Sequence, residues 1–190
     1  MKRLPLRCAW FLFCLSASAI AHAASPSEPV QAAVTEHQIA GYRIRLHSTD
    51  GQACQVEYHS PQAKGEARML ALDLQAPCRL LTWQGPPPRK TGGPKSAQAL
   101  GKRGEAQAWR YPDAGNVIAL AVIGDAPDAA LQNSSLYRLR QSQGMHCAGS
   151  LQGLLLYPAE IKTSAVQRQS GVFCLEIGLE EKNFWLLAHP

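Results

Sequence analysis

Charge is scarce in this chain, and acidic charge is the scarcer kind. Only 17% of its 190 residues are Asp, Glu, Lys or Arg, with 19 basic against 14 acidic. The basic surplus suggests an acidic partner such as nucleic acid, but its location argues otherwise. Lys2, Arg3 and Arg7 lead into an apolar run over residues 8–20, which ends at Ala21-His22-Ala23. A basic start, a short apolar centre and a small-x-small end form an export signal cleaved before Ala24. Without residues 1–23 the chain keeps 16 basic and 14 acidic residues, a net charge of +2 instead of +5. That is a weak footprint for nucleic acid, and no nucleic-acid partner is expected.

Long apolar stretches are also missing. A spanning helix needs about 20 apolar residues, and the 8–20 run is too short. No membrane insertion is therefore expected after the signal is cleaved. Cys8 and Cys14 follow Arg7 and Phe13, whereas a lipid-modified cysteine follows a small residue.

Motifs that would fix a reaction are missing too. There is no Cys-x-x-Cys and no His-x-x-x-His, so neither a metal nor a cofactor is expected. Ala148-Gly-Ser-Leu-Gln-Gly153 lacks the spacing of a nucleophile elbow. Pro94 separates Gly92-Gly93 from Lys95-Ser96, so the contiguous Gly-Lys-Ser of a phosphate loop is absent. Nothing in the sequence assigns catalytic residues.

Four cysteines remain after the signal: Cys54, Cys78, Cys147 and Cys174. An even number in an exported chain reads as disulfides. Cys54–Cys78 and Cys147–Cys174 are the expected pairs, because each brackets neighbouring strand-like segments. Each closes a loop of about 25 residues, which the loop-entropy model values at about 3 kcal/mol.

The 167 residues after the signal suit one domain. Residues 24–37 read as a flexible N-terminal segment, and 38–190 as a single β-rich domain. Tyr42-Arg-Ile-Arg-Leu-His47 alternates apolar and polar positions, as do residues 54–59 after the Asp50-Gly51 turn. Residues 69–74 and 78–83 continue the meander. Glu105–Tyr111 predicts a strand with Trp109 and Tyr111 inward. Val117-Ile-Ala-Leu-Ala-Val-Ile123 is apolar throughout, and predicts a central strand buried on both faces. Asp125 and Pro127 suit the start of one short helix over residues 129–139, with Leu131, Leu136 and Leu139 on its apolar side. The closing unit predicts strands at 151–157, 160–164, 171–177 and 184–189, with Trp185 on the core and a charged turn at 178–183. The expected fold is mainly β: an antiparallel sheet or sandwich with one short helix, stapled by two disulfides.

Two stretches are candidates for partner contact. Residues 84–104 hold Pro86-Pro87-Pro88, several glycines, and the basic residues Arg89, Lys90, Lys95, Lys102 and Arg103, with no acidic residue among them. They read as a disordered basic loop that can be shortened without loss of the fold. No aromatic residue interleaves with its charges, so it is not a stacking platform for bases. The second candidate is Glu180-Glu181-Lys182. Adjacent carboxylates in a turn point apart, which suits an acidic rim beside an aromatic anchor better than an acid–base dyad. His47 and His59, on neighbouring strands, are able to approach each other, but no third metal ligand is visible in the sequence.

These features favour an exported, periplasmic or secreted, non-catalytic binding protein of the inhibitor or toxin-immunity kind, acting on a protein partner. One alternative is a hydrolase of envelope polymers with His47, His59 or Glu180–Glu181 at its site. The other is a structural or accessory envelope protein.

Overall fold

The apolar run at the centre of the chain organises the fold. Val117–Gly124 (strand β8) is buried at every position, because its two faces serve two cores. Ile118, Leu120 and Val122 face one, while Val117, Ala119, Ala121 and Ile123 face the other. The structure, a computed structural model, describes residues 33–62, 65–88, 96–168 and 172–189. The expected signal and the first part of the leader lie outside the described residues.

Four strands precede the centre as an antiparallel meander: β1 (Ala33–Ile39), β2 (Tyr42–Ser48), β3 (Ala53–His59) and β4 (Arg68–Gln75). Alternation decides their faces. Tyr42, Ile44, Leu46, Val56, Tyr58, Leu72 and Leu74 are buried, and their neighbours in sequence turn outward. β5 (Arg79–Leu80), β6 (Gln98–Leu100), β7 (Ala108–Tyr111), β8, β10 (Ser150–Leu156) and β11 (Ile161–Thr163) build a second antiparallel sheet. It runs β11-β10-β8-β7-β6, with β5 also on β8. The inner faces of the two sheets share one core, so the fold is a β-sandwich. Gln152, fully buried on β10, ties the sheets together: its Oε1 accepts from the Asp73 N–H at 2.9 Å and its amide donates to the Ser164 carbonyl at 3.0 Å. Both expected disulfides are present. Cys54–Cys78 lies within the sandwich core, and Cys147–Cys174 joins the small ribbon β9 (Cys147–Ala148) to β12 (Phe173–Cys174).

Among the described residues three helices stand where one is expected: α1 (Ala129–Gln132), α2 (Ser135–Ser142) and α3 (Glu181–Ala188). Asp128, not Asp125, caps α1, and Ser134 breaks the run by capping α2. α2 buries Tyr137 and leaves Leu136 and Leu139 outside, 49% and 55% exposed.

The largest departure is at the C-terminus. The expected strand over 184–189 is helix α3, and the charged turn before it leads into that helix. Phe184, Leu187 and Ala188 are spaced for one helical face, and that face is buried on the outer side of the second sheet. Glu181 in the first turn suits the positive end of the helix. Gly153 makes the approach possible, since a Cβ there would stand 3.1 Å from the Leu187 side chain. The six residues Phe184-Trp-Leu-Leu-Ala-His189 are too few to separate a strand from a helix by periodicity. Trp185 consequently points away from the core and is 45% exposed.

Smaller corrections concern edges. Residues 33–37, read as flexible leader, pair with β2 along the register Ala33↔Ser48 to Ile39↔Tyr42. Residues 98–100, read as disordered loop, form β6, and the Trp83 indole donates to the Leu100 carbonyl at 2.7 Å. The strand expected over 171–177 is reduced to β12, and the one over 78–83 to β5 with a bridge at Thr82.

Candidate functional site

Alternation on β1–β3 turns Glu36, Arg43, Arg45, His47, Glu57 and His59 to the outer face of the first sheet. The structure does bring His47 and His59 to one group. The Glu57 carboxylate lies 3.2 Å from His47 Nε2, 3.6 Å from His59 Nε2 and 3.4 Å from Arg45 Nη1. Arg45 also holds Glu36 at 2.7 Å, and this bond keeps the Glu36 carboxyl below its ordinary range. No group of three or more potential ligands fit to hold a metal ion occurs among the described residues. With an arginine on the same carboxylate, this is a charge-balanced polar face.

Of the basic loop, Arg89, Lys90 and Lys95 lie outside the described residues. Lys102 and Arg103 are exposed, and Lys102 makes an ion pair with Glu105 at 3.5 Å.

Glu180 and Glu181 diverge. Glu180 is on the surface, 2.8 Å from Lys182, whose bond lowers the Glu180 carboxyl from its ordinary value. Glu181 turns inward: its carboxylate and its carbonyl each accept from the Tyr111 hydroxyl at 3.1 Å. Burial raises the Tyr111 phenol, and the Glu181 charge raises it further, so it stays protonated. The two adjacent carboxylates thus face different surroundings, one in solvent and one against Tyr111.

The outer face of α3 is more distinctive. Lys182, Trp185, Leu186 and His189 are spaced i, i+3, i+4 and i+7, so they share one side of the helix. Trp185 and Leu186 are 45% and 50% exposed. The His189 ring stacks on Trp185 at 4.4 Å, and its Nε2 reaches Asp113 at 3.5 Å. The end of the helix is thereby fastened to the β7–β8 turn. Alongside lies a shallow depression of about 340 Å³, lined by Arg140, Ile177, Glu180, Lys182 and Asn183 among others. Ile177 is 52% exposed. The segment leading into α3 is held from inside by Gln107, which donates to the Leu179 carbonyl at 2.6 Å and accepts from its N–H at 3.1 Å. A rigid helix with an apolar outer stripe therefore adjoins an ion-paired rim. The sequence named Glu180–Lys182 as a contact candidate but placed Trp185 in the core. The i, i+3, i+4 spacing of Phe184, Leu187 and Ala188 was the available signal for the helix.

A second cavity, of about 280 Å³, opens on the Cys147 side of the Cys147–Cys174 bridge, whose Cys174 side lines the first depression. Pro77, Arg79, Ile123, Pro127, Tyr137 and Met145 are among the residues that line it.

Comparison with protein-family models, with curated proteins and with solved structures finds no match for this chain.

Proposed function

We propose that this is an exported, non-catalytic binding protein that engages a protein partner through the outer face of α3 and the depression beside it. The observation that carries the reading is the exposure of Trp185 and Leu186 on a helix whose opposite side is buried and whose end is fastened by His189. Tryptophan is the residue most enriched among interface hot spots, and preorganised anchors bind with little ordering entropy. The Glu180–Lys182 pair and Arg140 supply a polar rim around the apolar stripe. Two disulfides, with no helix among the described residues long and apolar enough to cross a membrane, are compatible with action in an oxidising compartment outside the cytosol. An inhibitor or immunity protein is the form of binding protein that best fits a small stapled scaffold of this kind.

A photo-crosslinking amino acid placed at Leu186 tests the proposal in cells. The expected result is a discrete adduct that disappears when Trp185→Ala is added, with no adduct from the same probe at exposed Arg138. Absence of an adduct at Leu186, or equal labelling from both positions, would overturn it.

A further inference from the structure

We infer that the cavity beside the Cys147–Cys174 ribbon is a binding site for a carboxylate carried on a compact apolar body. This inference stands independently of the α3 face, which lies on other residues.

The walls come from several elements. β5 and β8 contribute Arg79 and Ile123, which are register partners in the second sheet and so point to the same side. Pro127 precedes α1, Tyr137 lies on α2, and Met145 precedes the disulfide ribbon. The loop over residues 125–127 is brought in closely. A Cβ at Gly149 would stand 3.1 Å from Pro127, and Asp125 holds the left-handed conformation, φ 60°, that a non-glycine residue seldom adopts. Asp125 is held there by β4: its N–H donates to the Gln75 carbonyl at 2.9 Å and its carboxylate accepts from the Gln75 N–H at 2.5 Å. Strained backbone of this kind clusters at binding sites.

The cavity at about 280 Å³ is at the small end of ligand pockets and mostly apolar. Its polar groups are unequally used. The Asp125 carboxylate is engaged by Gln75. The His146 ring is engaged by Glu176 at 2.6 Å. Arg79, by contrast, is exposed and makes no ion pair or side-chain hydrogen bond among the described residues. The Tyr137 hydroxyl accepts from the Gln141 amide at 2.8 Å and donates to no group among the described residues. A free guanidinium and a spare hydroxyl hydrogen are both donors, and a guanidinium matches a carboxylate in two parallel bonds. Pro77, Ile123, Pro127 and Met145 would cover the apolar body. Two sources offer this chemistry: a free short-chain acid and the terminal carboxylate of a peptide that ends in an apolar residue.

The test uses the oxidised protein, labelled for amide NMR, and titrates hexanoate, hexylamine, a tetrapeptide ending in free leucine, and the same peptide amidated. Hexanoate or the free-acid peptide should shift the amides of Arg79, Tyr137, Met145 and Ala148. Hexylamine and the amidated peptide should bind at least about tenfold more weakly, given the strength of charge-assisted hydrogen bonds. The tighter of the two acids identifies the source. Arg79→Gln should weaken the acid at least about tenfold, while Arg79→Lys retains part of the affinity. Ala126→Phe, at an exposed position on the rim, should block binding without disturbing the fold. Equal binding of acid and amine, shifts that map elsewhere, or unchanged affinity in Arg79→Gln would overturn the assignment.

Discussion

The two disulfides close loops of similar length, with sequence separations of 24 and 27, yet rest on different support. Cys54–Cys78 is part of the sandwich core, among Leu46, Val56, Leu74 and Val122, and the space opposite is so tight that a Cβ at Gly124 would stand 2.8 Å from Cys78 Sγ. Cys147–Cys174 ties a two-residue ribbon to a small satellite cluster around Tyr137 and Val172, with Arg140 donating to the Val172 carbonyl at 3.1 Å. Loop entropy alone makes the two staples nearly equal. Packing separates them. The first is one contact among many in a core, and the second holds together a region with little core of its own.

Removing each staple is the strongest way to test that difference. Cys54→Ala with Cys78→Ala should destabilise the fold by about 4 kcal/mol in urea unfolding, combining lost loop constraint with a cavity in the core. Cys147→Ala with Cys174→Ala should reach about 2–3 kcal/mol. Its hydrogen-exchange protection should fall first over residues 172–179, with β8 unaffected. Equal global effects with no local loosening would show that the ribbon is supported as well as the core.

The two sides of α3 give a second contrast. Leu187, 1% exposed, packs against the sheet, and Leu187→Ala should cost about 2–4 kcal/mol in thermal or urea unfolding. Trp185→Ala removes a larger side chain but should cost only about 1 kcal/mol, because that side chain is outside the core and loses chiefly its stack on His189. A large loss from Trp185→Ala would mean that the indole is structural and not a partner anchor.

Acid should act on the two regions in sequence. Burial lowers the His37 imidazole on β1 below its ordinary 6.5. The unfolded chain therefore takes up that proton first, so its contribution is present above about pH 6.5 and is lost as pH falls through the folded value. At Glu176, beside the second staple, burial pulls the carboxyl upward. Hydrogen bonds from the His146 ring and from backbone N–H groups outweigh it and hold the carboxyl below its ordinary 4.5. That contribution is present above about pH 4.5 and is lost only at lower pH. Urea titrations at pH 7.5, 5.5 and 3.5 (roughly spanning the ordinary values of both groups) check the order. His37→Gln should flatten the first step alone.

Much of the scaffold was legible because its signals are local. Strands β2, β3, β4 and β8 show their burial in their own spacing, and Asp50-Gly51 marks the turn between two of them. β1 was not legible, because Ala33-Val-Thr-Glu-His is small and polar, and only pairing to β2 makes it a strand. The candidate site was half legible. Glu180–Lys182 was singled out, but the helix that follows was read as a strand and its tryptophan turned the wrong way. The second cavity was not legible at all. Arg79, Tyr137 and Met145 are far apart in sequence, and none belongs to a motif.

The sequence by itself determined the class of the fold and favoured, among three possible pairings, the two disulfides that the structure contains. Period-two alternation is a property of short segments, which tertiary contacts have little power to reverse, and each cysteine pair brackets strands that such alternation already marks. The tertiary structure alone decided the state of residues 181–188. Their composition allows strand or helix, and the choice falls to the apolar outer face of the second sheet. Gly153 leaves room there for a helix to bury Phe184 and Leu187, and burying those two side chains turns Trp185 and Leu186 to the outside. The surface proposed for partner contact therefore follows from which side of one short helix the core demanded.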